Sequence, residues 1–177
     1  SDHVLHRSDE STENCLCNLL HKAERGRTVG SRAYTVARGQ KGAPMSPPPI
    51  LSGPLTVPVL ASPMFIYSGP ELVAAQCQAG VIGAVPSLNA RPQSALGQWI
   101  DQIVQSNAAF AEANPDAYVA PFAVNLIVHK SNDRLAEDLA TVVEHQVPIV
   151  ITSLGAREDV NEAIHSYGGI VLHDVIN

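Results

Sequence analysis

Short apolar runs that alternate with amphipathic segments are the dominant pattern of the chain after residue 57. The longest run, residues 120–128, is apolar apart from Asn125, and its β-branched residues are typical of a strand covered on both faces in a parallel sheet. An unpaired amide inside such a strand costs about 1–3 kcal/mol, so Asn125 is expected either to pair with neighbouring backbone or to face a ligand. Similar runs predict four further strands, at residues 57–61, 81–85, 147–152 and 170–173.

A helical segment follows each of the first four runs. In the longest of these segments, Trp99 lies among apolar residues at three- and four-residue spacing, and it is expected to pack against the sheet. The regular alternation of strands and helices predicts a parallel sheet with right-handed crossovers. The predicted helices are Pro70 to Ala79, about 92–112, a helix capped by Asn132-Asp133, and about 157–167.

Two α/β architectures have this alternation, namely a doubly wound open sheet and an eight-stranded (β/α) barrel. The loop after the first run, Ser62-Pro63-Met64, does not resemble the Gly-x-Gly-x-x-Gly turn of dinucleotide-binding sheets, so the barrel is favoured. A complete barrel has about 250 residues, whereas about 120 follow residue 57. The expected fold is therefore an incomplete parallel (β/α) TIM barrel with about five of eight strands. Its open sheet edges would favour self-association.

The first 49 residues differ in composition from the rest of the chain. Seven of the eleven Lys and Arg residues precede Met45, and the segment is rich in Ser, Thr and Gly but poor in periodic aliphatic residues. Such a composition is typical of a disordered segment. We expect residues 1–49 to be a disordered or non-native extension, with Met45 as the natural start, and residues 50–177 to form the partial barrel.

Charge and composition argue against several classes of function. A formal net charge of −6, without a clustered basic face, argues against nucleic-acid binding. No apolar run approaches the roughly 18 residues of a membrane span, and the N-terminus lacks the apolar core of a secretory signal. Three cysteines are too few for a disulfide framework, and the Cys15-x-Cys17 pair has no second pair at zinc-binding spacing. A cytoplasmic protein without a metal site is expected.

Polar side chains follow every predicted strand, at the edge where α/β folds bind their ligands. They are mostly amides, hydroxyls and imidazoles, which suit hydrogen bonding to a large neutral or phosphorylated cofactor better than metal-dependent hydrolysis. His173 is expected to face a ligand because a strand end within a parallel sheet is rarely solvated, whereas His129 is expected to lie in solvent. In chain order these residues are Ser62, Met64, Ser87, Asn89, Asn125, His129, Thr152, Ser153, His173 and Asp174.

Four segments carry a resemblance to a known family. They read PVLASPM at 58–64, PFAVNL at 121–126, ITSLG at 151–155 and GIVLHD at 169–174. Taken together they resemble the nitronate monooxygenases, also called nitropropane dioxygenases, over residues from about 50 to 177. The resemblance implies an FMN-containing TIM barrel that oxidises alkyl nitronates with molecular oxygen. The flavin would then be contacted by Ala61, Ser62, Pro63, Met64, Asn125, Ser153 and His173.

The resemblance assigns no catalytic residue and no metal ligand within this sequence. In the family, the catalytic histidine loop and the flavin phosphate loops follow later strands, so a truncated form is expected. The flavin assignment that the resemblance gives depends on Asn125 and His173 sharing one hollow with the Ser62–Met64 bend, and it fails if the two side chains face opposite layers. Two alternatives are open: an NAD(P)H:quinone or enoyl reductase on the same flavin barrel, and an inactive half-barrel that associates with a partner.

Overall fold

The computed structural model describes residues 53–175, so the predicted extension at residues 1–49 lies outside the described residues. Helices and strands alternate along the described part of the chain. Helices α1 to α4 span Pro70–Gln78, Ala95–Ala113, Leu135–Glu144 and Glu158–His165, and strands β1 to β4 span Gly83–Pro86, Phe122–Ile127, Ile149–Ser153 and Ile170–His173. A short 3-10 helix, Ser87–Asn89, follows β1 directly.

The four strands form one parallel sheet in the order β1-β2-β3-β4, which is also their order in the chain. Successive rows of side chains across the sheet alternate between its two faces. One row is made entirely of valine, namely Val85, Val124, Val150 and Val171, and the next row is Pro86, Asn125, Ile151 and Leu172. The predicted α/β fold with a parallel sheet is therefore confirmed, and it is compatible with part of an α/β barrel.

All four helices pack on the valine face of the sheet. Their buried residues recur at three- and four-residue spacing, as in α2, where Leu96, Ile100 and Ile103 are in the core. The opposite face has a smaller apolar cluster that includes Ala84, Ala123 and Ile149. Because all the helices lie on the valine face, the row that contains Asn125 is on the face of the sheet that no helix of the described part covers. No helix among residues 53–175 combines the length and apolar content that a bilayer crossing requires.

The first predicted strand, residues 57–61, is wrong as a regular strand. This segment makes a single parallel bridge, between Leu60 and Ile82, at the outer side of β1. Pro58 cannot donate a ladder hydrogen bond, and the Val57 and Val59 side chains are 44% and 50% exposed, so little apolar burial supports further pairing. The segment still lies at the edge of the sheet, where the sequence pattern had put the first strand.

The predicted Asn132-Asp133 cap of α3 is also corrected. The residue before α3 is Arg134, and no side chain caps the helix. Asn132 instead joins the end of β2 to the start of the helix: its Oδ1 accepts from the Arg134 N–H at 3.1 Å, and its Nδ2 donates to the Ile127 carbonyl at 2.8 Å. A local Asx-type turn competes with capping for the same side chain, and here the turn forms.

A buried ion pair fixes the turn after β1 to helix α3. Arg134 donates to the Asp138 carboxylate at 3.0 Å, to the Ala90 carbonyl at 2.9 Å and to the Ser87 carbonyl at 3.3 Å. The Asp138 side chain is fully buried, whereas that of Arg134 is a quarter exposed. Because Asp138 depends on Arg134 for its charge partner, the pair holds the helix and the turn together.

Replacing the cation of this pair is expected to destabilise the fold. Arg134→Met leaves the buried Asp138 carboxylate without its partner, so the free energy of unfolding should fall by about 3 kcal/mol in urea titrations. Arg157→Met is the matched control because the Arg157–Asp159 pair is exposed, and its unfolding midpoint should stay close to that of the parent. Equal losses in the two variants would contradict the assignment of the Arg134 pair as structural.

Tyr167 gives the fold a dependence on alkaline pH. Its hydroxyl donates to the Val147 carbonyl at 2.9 Å, and burial raises the pKa of Tyr167 to about 12. The folded chain therefore holds this proton more tightly than the unfolded chain, and the resulting stability is lost as the pH rises from about 10 to about 12. Urea unfolding across that range should show a shallower decline in Tyr167→Phe than in the parent. Identical slopes would contradict the expectation.

Candidate functional site

Asn125 is the fourth residue of the six-residue strand β2, and its side chain lies on the face of the sheet without helices. Its Nδ2 donates to the Ile151 carbonyl at 3.1 Å and to the Ser153 hydroxyl at 2.7 Å, and the residue is only 6% exposed. Among residues 53–175, no N–H or O–H group donates a hydrogen bond to its Oδ1. The sequence left two expectations for Asn125, pairing with neighbouring backbone or facing a ligand. The amide nitrogen pairs with the neighbouring strand, and the amide oxygen, which has no protein partner in the described part, is free to face a ligand.

A cavity of about 290 Å³ opens beside Asn125 at the carboxyl edge of the sheet. It is close to the lower limit of small-molecule sites, which are roughly 300–1,000 Å³. Apolar walls with one polar group are the usual composition of such sites. The lining residues are Pro63, Phe65, Pro86, Leu88, Asn125 and Ile127. The sequence analysis had brought Pro63 and Asn125 to one site, and here they do line one cavity.

Most backbone N–H groups of the bend from Ala61 to Met64, which the resemblance assigns to the flavin, already have acceptors within the protein. The Ala61 N–H donates to the Ile82 carbonyl at 2.8 Å, and the Met64 N–H donates to the Ser68 hydroxyl at 2.9 Å. Pro63 has no N–H. Ser62 is the one residue of this bend whose N–H has no acceptor among residues 53–175. One backbone donor, and not three, is therefore available to a ligand at this bend.

Asn89 holds the loop that follows this bend. Its Nδ2 donates to the Met64 carbonyl at 3.0 Å and to the Ser68 carbonyl at 2.9 Å, and its Oδ1 accepts from the Ile66 N–H at 3.0 Å. From its position after a predicted strand, Asn89 was expected to lie with residues that face a ligand. The structure shows instead that all three of these bonds are made within the protein, between the turn after β1 and residues 64–68.

Ile66 occupies a strained backbone conformation within this loop. Its φ is +72°, in the left-handed region, where a β-branched side chain is disfavoured by about 1–3 kcal/mol. The neighbouring residue Phe65 lines the cavity, and the Arg91 guanidinium lies 5.6 Å from the centroid of its ring. Such a conformation persists only where surrounding contacts determine it, and here the Asn89 amide supplies those contacts.

His173 is not brought to the Asn125 cavity. It pairs in register with Thr152, one row beyond Asn125, so its side chain lies on the helix-covered face. Its Nδ1 lies 2.5 Å from the Thr152 hydroxyl, and its Nε2 lies 3.4 Å from the Asn161 amide of α4. The requirement that Asn125 and His173 share one hollow with the Ser62–Met64 bend is therefore not met. A one-residue step along a strand reverses the face of a side chain.

His173 contributes to a second, more open cavity of about 710 Å³. His129 is also at its wall, exposed as the sequence analysis expected, with its Nδ1 2.9 Å from the Ser131 hydroxyl. The two cavities have no lining residue in common. The wall of the second cavity consists of His129, Leu154, Gly155, Ala156, His173, Asp174 and Val175.

Neither a metal centre nor a cysteine nucleophile is formed by the described residues. Within residues 53–175, no three His, Cys, Asp or Glu side chains are grouped closely enough to hold a metal ion. Burial raises the pKa of the Cys77 thiol, which donates to the Pro121 carbonyl at 3.5 Å. A thiol with a raised pKa is a poor nucleophile, so Cys77 acts as a core residue.

Five residues of the site were absent from the candidates that the sequence indicated. Ser68 is fully buried and accepts from the Met64 N–H, and the apolar side chains of Phe65, Pro86, Leu88 and Ile127 line the cavity. The signal for the first was the Ser-Gly-Pro sequence before α1, which marks a turn that needs a side-chain acceptor.

No family model matches the chain, and no curated protein matches it at a significant level. The resemblance to nitronate monooxygenases accordingly stays a prediction from the motifs.

Proposed function

We propose that the chain is an FMN-dependent oxidoreductase of the nitronate monooxygenase type, with the flavin ring bound at the Asn125 cavity. The observation that carries the proposal is the unpartnered Oδ1 of a nearly buried amide beside an apolar cavity at the carboxyl edge of a parallel sheet. Ligand sites of open α/β sheets and α/β barrels lie at this edge. The choice of FMN as the cofactor rests on the resemblance of the four sequence segments to nitronate monooxygenases.

The barrel part of the proposal is supported by strand order and by the placement of the helices. Doubly wound sheets reverse their strand order at a switch point and have helices on both faces. Here the strands follow chain order, and α1 to α4 contribute to one core on one face. The Leu60 bridge continues this order by adding the preceding segment beside β1. Sequential parallel strands with an outer layer of helices are the arrangement of a (β/α) barrel.

The residues at the cavity fit an isoalloxazine, which is planar, mostly apolar, and has both hydrogen-bond donors and acceptors on one edge. Asn125 Oδ1 can accept from the ring N–H. Ser62 does not line the cavity but directly precedes the lining residue Pro63, so its N–H would be the nearest backbone donor of the bend for a ring carbonyl or nitrogen. Pro63, Pro86 and Leu88 provide apolar walls for its faces. Ser153 contributes indirectly, because its hydroxyl accepts from Asn125 and fixes the orientation of the amide. His173 is not included in this site.

When bound, FMN would supply the electron transfer from an alkyl nitronate to molecular oxygen. The residues of this chain would bind and orient the ring, and the apolar walls would exclude water from one of its faces. A backbone N–H such as that of Ser62 stabilises negative charge that develops on a nearby acceptor. No charged side chain lines this cavity within the described part, so orientation would depend on neutral hydrogen bonds.

Flavin titration of the purified 177-residue chain tests the proposal. FMN and lumiflavin, which lacks the ribityl phosphate, should both bind, with quenched fluorescence and a shifted visible absorbance. Asn125→Leu should weaken the binding of both flavins by about tenfold, because the hydrogen bond from Asn125 to the flavin ring is lost while the side-chain volume stays similar. Asn114→Leu is the matched control, since the Asn114 amide only caps the end of α2 at the Phe110 carbonyl.

His173→Leu separates the Asn125 cavity from the site that the resemblance implied. A ring bound at the Asn125 cavity should keep its affinity in this variant, because His173 faces the other side of the sheet. If His173→Leu loses flavin binding while Asn125→Leu keeps the affinity of the parent, the flavin would be assigned to the second cavity. No spectral change of either flavin with the parent chain would overturn the proposal.

Turnover assays separate the reaction classes that share a flavin barrel. Oxygen consumption with an alkyl nitronate would support the monooxygenase. Oxidation of NAD(P)H with a quinone or an enoyl substrate, and no reaction with the nitronate, would support the reductase instead. Flavin binding without either reaction would identify a chain that binds the cofactor but needs further structure for catalysis.

A further inference from the structure

We propose that Asn89 is a positioning residue, which sets the loop of residues 64–68 so that Phe65 forms one wall of the ligand cavity. Asn89 does not line this cavity; Phe65 does. The hydrogen bonds of the amide are to the residues on either side of Phe65, namely the Met64 carbonyl and the Ile66 N–H, and to Ser68. The proposal rests on the proposed function only for the identity of the ligand.

The loop needs such an external restraint. Met64 and Ser68 close a five-residue turn through two mutual bonds, in which Met64 N–H donates to Ser68 Oγ and Ser68 N–H donates to the Met64 carbonyl. The central residue of this turn, Ile66, has a positive φ and is 75% exposed, so its side chain gains little from packing. Without Asn89, a conformation that does not strain Ile66 is therefore favoured over the present one.

Asn89 is itself held in place from the far side of the turn. Arg134 donates to the carbonyl of Ser87, the first residue of the 3-10 helix that contains Asn89, and to the carbonyl of Ala90, the residue that follows this helix. The Arg134 guanidinium is in turn fixed by the buried Asp138 carboxylate. A continuous series of hydrogen bonds thus runs from helix α3 through the turn after β1 to the loop beside Phe65. The amide is anchored to the rigid part of the fold, which allows it to restrain the loop.

The experiment combines hydrogen exchange with flavin binding in the full chain. In Asn89→Leu, amides of residues 64–68 should exchange about tenfold faster or more, because the bonds that hold the closed loop are removed. Amides of β2 should be unchanged. The dissociation constants of FMN and lumiflavin should rise by about tenfold, because Phe65 is no longer held as a cavity wall, and unchanged constants would overturn the role of Asn89 in binding. Asn114→Leu, a surface amide at the end of α2, is the matched control and should change neither measurement.

Two further variants distinguish positioning from a general loss of structure. Ile66→Gly should leave flavin affinity unchanged in the parent but restore part of it in Asn89→Leu, because glycine adopts a positive φ without strain. Asn89→Asp retains the acceptor for Ile66 N–H but loses both donors, so it should bind flavin weakly and recover affinity as the pH falls and the carboxyl gains a proton. The parent should show no such recovery.

The outcomes separate this inference from the flavin assignment. Unchanged exchange of residues 64–68 in Asn89→Leu and in Asn89→Asp would overturn the positioning role. Faster exchange throughout the sheet in both variants would also overturn it, since Asn89 would then be a general stability residue. If the parent binds neither flavin while Asn89→Leu still accelerates exchange only in the loop, the flavin proposal fails and the positioning role stands.

Discussion

The carboxyl edge of the sheet depends on side-chain amides that satisfy the backbone groups left by the strands and turns. Three asparagines do this: Asn125 donates to the Ile151 carbonyl, Asn132 to the Ile127 carbonyl, and Asn89 to the Met64 and Ser68 carbonyls. Each amide joins segments that are distant in sequence or belong to different elements. A buried backbone carbonyl without a partner is costly, so these amides stabilise the edge where a parallel sheet binds ligands. Of the three, Asn125 alone lines the 290 Å³ cavity.

Register along the strands determines which polar side chains can act together. Asn125 and His173 both lie near the carboxyl ends of buried strands, and from the sequence they were equivalent candidates. Asn125 is in the same row as Ile151 and Leu172, whereas His173 is in the next row with Leu126 and Thr152. Since adjacent rows face opposite sides, the imidazole contacts Thr152 and α4 and not the cavity. The flavin proposal consequently depends on the Asn125 side alone.

The loop of residues 64–68 links stability to the proposed binding. The loop places Phe65 at the cavity while it leaves Ile66 strained and exposed, and the Asn89 amide offsets that strain through three hydrogen bonds. The anchor for Asn89 is the Arg134–Asp138 pair, neither member of which lines the cavity. A change at Arg134 can therefore alter the cavity wall as well as the stability of the fold. Local strain beside a cavity, held by contacts from elsewhere, is common at functional sites.

Much of the fold was determined by the sequence alone. Apolar runs and helical spacing predicted all four strands, β1 to β4, and all four helices in the correct order, because burial on both faces of a strand and on one face of a helix leaves a periodic pattern. The alternation also predicted the parallel sheet. The segment at residues 57–61 has the same apolar character, but Pro58 and its edge position limit it to one bridge, and this outcome depends on the neighbours of the segment.

The site was determined only in part by the sequence. Asn125 was recognisable because it is the single amide in an otherwise apolar run, and a buried amide needs a partner. Its partners Ile151 and Ser153, which are 26 and 28 residues away, were decided by the pairing of β2 with β3. The face of His173, the internal role of Asn89 and the contribution of Phe65 were decided by tertiary structure. Each of them depends on strand register or on contacts across 20 or more residues, and local sequence does not contain that information.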